Sequence, residues 1–551
     1  MCKKVGILFL ATVVTLSLGL GGCSEPAENG EAARENNVLT RGIWTSPPGI
    51  LHPGLYTDAY DAMAIDLIYN GMLSYDPFAE EYVPDLAEEF DISDDELTMT
   101  FTLREDLYWH DGEPVTTEDV QFTFEFIADP DYTGVRYSNV QIIEGMPDYK
   151  EGEADEITGI NVIDDRNIEI TLSETYAPAL SDVGARQIIP KHIWGDVDIA
   201  TAEEQNDILQ NPVGTGPFKM DEFARDQHIR LVKFEDYHKG EPKLDGITLN
   251  VTNQETAQAQ LAAGELDFMD VSEMSEDTVA FFEENGKEID TVMSDGYQHM
   301  AINTREEAFA DKRVRQGIAY ALDRQSFVDD VLDGYGQVSN VPLPSFSEYM
   351  PPADSINQYE RDLDKAIELF EEAGWEYNED EETMYIDGEP AQFTLIYPSG
   401  NVPRERSATV WQQDLAEVGI EIELEMMDFD TMFSNHLDVH DFDMALTGWS
   451  LTPDPDARGI WHSEQDFEGG FNFPGFVNDR NDELLEEGTR HMLPEDRVPI
   501  YEEWGQLMNE HLPSIFLYSM EEGRAYTPDF KGHNFHSFTD YHDVHKWYLE
   551  E

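Results

Sequence analysis

"LTMTFTLREDLYWHDGEPVTTEDVQFTFEFI", residues 97–127, moves from one structural period to another within thirty-one positions. Leu97, Met99, Phe101 and Leu103 alternate with Thr98, Thr100 and Thr102, the two-residue repeat of a strand with one buried face. Asp111-Gly112 marks a turn. Thr116 then supplies an N-cap with Asp119 three residues on, and Val120, Phe124 and Ile127 share one helical face. A second alternating run, "NIEITL" at 167–172, places Ile168, Ile170 and Leu172 together. These pieces predict an α+β unit over about residues 77–174.

Further along, the pattern changes. "DKRVRQGIAYALDRQSFVDDVLDG" (311–334) carries Val314, Ile318, Ala321 and Leu322 at helical spacing behind a cap at Asp311. "DLDKAIELFEEAGW" (362–375) does the same with Leu363, Ala366, Ile367 and Phe370 and stops at Gly374. A third helix, about Glu405 to Glu417, runs through Gly419 into "IEIELEMMD", where Ile420, Ile422, Leu424 and Met426 face one way and Glu421, Glu423 and Glu425 the other. The strand "FDMALTGW" (442–449) follows another helix. This alternation indicates an α/β domain.

Toward the N-terminus, Lys3 and Lys4 precede an apolar run from Val5 to Leu18, which is too short to span a bilayer and reads as the core of a signal peptide. The L-G-G-C ending at Cys23 looks like a lipobox, so Cys23 is expected to be acylated after removal of residues 1–22. The lipid would tether an otherwise water-borne chain. Cys2, the other cysteine of two, would leave with the signal, which excludes a disulfide framework. Residues 23–37, "CSEPAENGEAARENN", read as the lipidated terminus and a flexible spacer.

The 551 residues, less the first 22, leave 529, more than one core usually serves, and 40% hydrophobic residues suffice for several. Against 33 basic residues stand 116 acidic ones, a net charge of −83. Such a surface repels phosphate backbones and excludes nucleic acid as a partner. High salt or an alkaline habitat accounts for it better than ligand choice does.

Single motifs say little. "VGTGPF" has two glycines two apart, and Pro217 stands where a phosphate-binding helix would begin. There is no G-x-S-x-G, and no cysteine nucleophile beyond Cys23. His436 and His440, and the group His533, His536, His542 and His545, read as surface or core histidines rather than metal ligands. No metal, cofactor or catalytic set is expected, although 116 acids leave a carboxylate-pair hydrolase formally open.

In order, however, "DPFAEEYVPDLAEEFDISDDELTMTFTLREDLYWHDGEPVTTEDVQFTFE" (76–125), "NPVGTGPFKM" (211–220), "YHKGEPKLDGITL" (237–249), "INTREEAFADKRVRQGIAYALDR" (302–324) and "TGWSLTPDPDARGIWHS" (447–463) resemble the extracellular solute-binding proteins of peptide ABC transporters, a family of oligopeptide, dipeptide and nickel binders. The resemblance runs from about Val38 to the C-terminus. It implies an α/β, two-lobed periplasmic-binding-protein fold with an extra α+β domain. Domain I would comprise 38–76, 175–285 and 520–551, domain II 77–174 and domain III 286–519. Two crossovers would form a hinge, and closure around a peptide would present the loaded protein to a permease. The protein is expected to be a monomer, anchored by its lipid to the outer face of the cell membrane.

By chemistry, "WHDGEP" and "GTGPF" read as turns packed on Trp109 and Phe218. Arg313 and Arg315 read as salt-bridge partners of surrounding acids. "TGWSLTPDPD" is the better site: Thr447, Gly448 and Trp449 end a strand, where α/β sites lie, and Asp454 and Asp456 follow. Trp449 offers a flat wall for side chains, and a carboxylate can hold a terminal ammonium. In dipeptide and oligopeptide relatives an aspartate soon after this tryptophan has that role; here Ser450, Leu451 and Thr452 stand there, leaving Asp454 as a substitute. Asp454 and Asp456 have an equally good reading as turn caps beside Pro453 and Pro455. A ligand without a free amine, such as a chelated metal, an oligosaccharide or a modified amine, is the alternative. Tyr56, Thr57 and Tyr60 of "LYTDAY" should border the cleft from domain I, Tyr297 should lie near a crossover, and "YPSGN" (397–401) should supply backbone donors.

Overall fold

A computed structural model describes residues 37–550. Cys23, the signal segment and the spacer before Asn37 lie outside the described residues. The chain forms two lobes joined through one long strand. Ser514–Tyr526 pairs antiparallel with Tyr297–Ile302 along its first half, and with Phe268–Val271 and Glu288–Met293 along its second. On one side the sheet continues through Phe268–Val271, Val38–Ile43, Gly246–Val251, His228–Lys233 and Phe218–Ala224. On the other it continues through Tyr297–Ile302, Met444–Trp449, Gln392–Pro398 and Glu421–Met427. Glu288–Met293 leads straight into Tyr297–Ile302, so two antiparallel stretches of chain pass between the lobes side by side.

Each half has its own core. Leu39, Ile65, Leu231, Ile247, Phe530 and Trp547 fill the first, and Met300, Ile318, Trp411, Leu446, Trp504 and Ile515 the second. The α+β unit is built as its periodicity dictates: a four-stranded antiparallel sheet of Ala87–Ile92, Thr98–Leu103, Asn167–Thr171 and Ile160–Val162 packs on the helix Thr117–Ala128. Met99, Phe101, Leu103, Ile168 and Ile170 are all buried in it.

The "WHDGEP" and "GTGPF" segments hold this unit to the first lobe. The Thr116 N–H donates to Asp119 at 3.0 Å, and the same carboxylate accepts the Lys191 N–H at 3.0 Å and the buried Trp109 indole N–H at 3.4 Å. His110 reaches across, accepting the Gly214 N–H through Nδ1 at 3.2 Å and meeting the Gly216 carbonyl through Nε2 at 2.9 Å. A Cβ on Gly214 would lie 1.9 Å from the Ile68 carbonyl oxygen, a contact no side chain allows. Both motifs therefore serve packing, as their turn chemistry predicts.

Three expectations need correction. Arg315 has no acidic partner among the described residues; it is buried and donates to the carbonyls of Phe309, Ala310, His511 and Leu512, capping the end of the helix Pro494–His511. Helix termini leave carbonyls unsatisfied, and a guanidinium with five donors meets several at once. Arg313 does pair with Asp311, as expected. Met426 is 56% exposed, because Glu421–Met427 is the edge strand and its end outruns the core. The third helix starts earlier than its apolar pattern shows, at Val402, capped by Asn401 with Pro403 in its first turn.

Candidate ligand-binding cleft

The lobes touch along a line that leaves a cleft between them. Glu80 accepts the Glu348 N–H at 2.9 Å, Ala177 donates to the Thr489 carbonyl at 2.9 Å, and the Phe346 ring meets Phe538 at 5.2 Å. A cavity of about 810 Å³ is lined by Asp66, Tyr82, Ser181 and Gln187 of the first lobe, Pro453 of the second, and the chain Ser537–Lys546. A larger depression of about 1280 Å³, lined by residues 88–112 and 219–245, involves only one lobe.

In the second lobe, Met444–Trp449 sends alternate side chains to opposite faces. Trp449 stacks on Phe473 at 5.7 Å and 15°, with Phe471, 42% exposed, edge-on at 5.6 Å. Gly448 points the other way, toward a polar pair in which Arg404 Nε donates to Gln298 Oε1 at 2.6 Å. A Cβ on Gly448 would stand 2.7 Å from Gln298 Nε2 and 2.8 Å from Arg404 Nη2, so the missing side chain makes room for the guanidinium. Arg404 enters from the first turn of Val402–Glu417, where Asn401 fixes its N–H at 3.0 Å. Burial pulls its pKa below the ordinary value. No carboxylate pairs with it among the described residues, notable in a chain of net charge −83.

Asp454 and Asp456 are not bare carboxylates. Asp454 is held by both terminal nitrogens of Arg497 at 2.8 Å, with side chains only 9% and 5% exposed. Burial works against the charge on Arg497, and the adjacent carboxylate more than offsets it, holding the guanidinium well above its ordinary pKa. The Tyr349 and Tyr501 rings flank that guanidinium at 5.6 and 5.5 Å. Asp456 takes Arg458 Nε at 3.0 Å and Nη2 at 2.9 Å, and Arg458 in turn lies 5.6 Å over the Tyr176 ring. Both Asp454 oxygens thus face a buried, geometrically matched partner, and Oδ1 also accepts the Asp456 N–H at 2.9 Å, the turn-cap role read from the sequence.

In the first lobe, Tyr56 has Arg136 4.2 Å over its ring and accepts at its carbonyl from the same guanidinium at 3.2 Å; Tyr56, Thr57 and Tyr60 are not among the residues lining the cavity between the lobes. Thr57 is exposed beside Tyr56, and Tyr60 sits half-buried in the helix Ala59–Ile68, which Asp58 caps. Nearby, Asp182 accepts from Asn139 at 3.1 Å and from Tyr176 at 3.4 Å. Burial pushes its pKa up to about 6 against the pull of Arg186. Tyr297 does not face the cleft: it is fully buried, and its hydroxyl accepts the Trp461 indole N–H at 3.3 Å. In "YPSGN", the Ser399 and Gly400 N–H groups are already spent on Met427 and Glu405.

Sequence reasoning did not single out Arg404 or Arg136, the guanidiniums that sit beside Gly448 and Tyr56. Both are rare cations in an acidic chain, but nothing in their local pattern separates them from a surface arginine.

The sequence model of bacterial extracellular solute-binding proteins, family 5, matches residues 81–469. The chain belongs to this family. It is 30% identical, over 99% of both chains, to the oligopeptide-binding protein AppA of Bacillus subtilis. The structure of that AppA in complex with a nonapeptide superposes with a TM-score of 0.70 at 28% identity, covering 93% of this chain and 99% of AppA. The substrate-binding protein CtaP of Listeria monocytogenes gives 0.79 at 26%, covering 94% and 100%. The heme-binding protein A of Haemophilus influenzae is 26% identical over 92% of each chain. This family-5 chain is therefore a solute-binding protein of the extracytoplasmic side rather than an enzyme. Among the described residues, no helix is long and apolar enough to cross a membrane.

Proposed function

We propose that the protein captures peptides between its lobes and hands them intact to the permease of an ABC importer. The observation that supports this reading is Arg404, a buried second-lobe guanidinium without an acidic partner among the described residues, beside the strand that ends at Trp449. Arg404 would take the terminal carboxylate of a peptide in a charge-assisted pair. The Trp449–Phe471 surface would hold side chains of many kinds. The similarity to AppA, an oligopeptide-binding protein, supports the assignment. Domains I, II and III have the boundaries given above, with the paired crossovers at Glu288–Ile302 and Ser514–Tyr526 as the hinge, and ligand contacts to both lobes favour the closed population. The mature chain begins at lipidated Cys23 and works as a monomer anchored outside the cell membrane, at the cell surface or in the periplasm.

Calorimetry with peptides of two to ten residues tests this, each peptide paired with its C-terminal amide. Binding that weakens on amidation is expected; silence across the library would end the peptide reading. Mass spectrometry of the N-terminal fragment from native membranes tests the anchor, and an unmodified Cys23 would remove it.

A second reading rests on Ser450, Leu451, Thr452 and the engaged Asp454, which together offer no free carboxylate to an ammonium. A ligand lacking a free amine, such as a chelated metal, an oligosaccharide or a modified amine, fits that wall as well. Mass spectrometry of material that co-purifies with the protein separates the two.

A further inference from the structure

Where the second lobe meets the α+β unit, three potential metal-ligating groups converge outside the cleft. One ligand atom each of Glu96, His491 and Asp496 lies within 4.8 Å of the other two. None of the three residues lines the cavity between the lobes.

The placement of this set is fixed by contacts that do not depend on any ion. Glu96 sits in the turn between Ala87–Ile92 and Thr98–Leu103, and its Oε2 accepts the Met492 N–H at 2.6 Å, across 396 positions of sequence. The Met492 side chain, 1% exposed, is plugged into the core of the α+β unit. One Glu96 oxygen is therefore tied by the backbone next to His491, as an outer partner ties a metal-binding carboxylate, and the other is left over. The ring nitrogens of His491 and the carboxylate of Asp496 have no hydrogen bond or ion pair among the described residues. In a chain with 116 acids, idle carboxylates are ordinary. What sets this group apart is the idle imidazole between two of them, paired with neither.

We infer that Glu96, His491 and Asp496 bind one divalent transition-metal ion, with water completing the shell, and that the ion staples the α+β unit to the second lobe. Zinc ligands lie about 2.0–2.2 Å from the metal, so ligand atoms on a shared ion stand about 3–4 Å apart. Rotation of the exposed Asp496 side chain closes that difference. Imidazole with two carboxylates suits zinc or nickel better than calcium or magnesium, which take all-oxygen sites.

The test is calorimetric titration of the full mature chain with zinc chloride, in excess calcium chloride to fill unspecific acidic sites. One zinc ion per chain is expected. His491→Gln and Glu96→Gln should each weaken it at least about tenfold, since even outer partners of a bound metal cost that much. Zinc should also raise the unfolding midpoint of the parent chain and leave that of His491→Gln unmoved. Equal zinc stoichiometry and affinity in the parent and in His491→Gln would overturn the inference. If Glu96→Gln fails to fold, His491→Gln, whose ring has no partner among the described residues, decides alone. Peptide titrations of the same variants keep this result separate from the proposed function.

Discussion

Changing Asp454 to asparagine separates a ligand-anchoring role from the structural one that the Arg497 pair gives it. If Asp454 anchors a ligand, the variant keeps its stability and loses binding. If it is the fixed half of the Arg497 pair, the variant loses stability. The geometry favours the second: both carboxylate oxygens lie 2.8 Å from Arg497, and the pair is nearly sealed from water. Removing one partner of a buried pair leaves the other uncompensated and costs about 3–5 kcal/mol. Arg497 also donates to the Gly488 carbonyl at 2.8 Å, so it stays in place and keeps its charge. Urea unfolding of Asp454→Asn should therefore show a loss of about 3 kcal/mol or more. Replacing both residues, Asp454→Leu with Arg497→Met, should restore much of it, because the burial penalty goes with the charges. A variant less than about 1 kcal/mol weaker than the parent, yet unable to bind peptide, would refute the structural role and return Asp454 to the ligand.

Arg404→Gln should weaken binding of a free-acid peptide about 10- to 100-fold, the equivalent of one charge-assisted hydrogen bond, and leave the C-terminal amide nearly unaffected; calorimetry on the four combinations checks it. Gly448→Ala forces its Cβ against Arg404 and Gln298, so peptide affinity should fall several-fold while the urea midpoint holds, because both clashing atoms are flexible side-chain ends. His299 is buried without a hydrogen-bond partner among the described residues, and burial lowers its pKa from 6.5 to about 3. The unfolded chain then binds the extra proton, so this histidine's contribution is complete above pH 6.5 and is lost as pH falls toward 3. From pH 7 to 5 that amounts to roughly 2 kcal/mol, at 1.36 kcal/mol per pH unit. His299→Leu should flatten the stability curve by that amount in urea titrations at the two pH values, and an unchanged slope would contradict it.

Residues close in sequence explain most of what could be read without coordinates. The alternation of Leu97 to Leu103, the capping pair Thr116 and Asp119, and the stops at Gly374 and Gly419 fix strands, helices and turns through neighbours a few positions away. The ordered motifs fixed the family, and with it the lobes. Pairings between residues 43 to 197 positions apart were decided by the tertiary structure alone: Arg315 on the end of a distant helix, Arg497 on Asp454, His110 between two glycines, Arg404 in the space above Gly448. A local pattern records which face of an element is buried, but a charged side chain's role depends on what the fold brings opposite it, and that partner leaves no mark in the residues beside it.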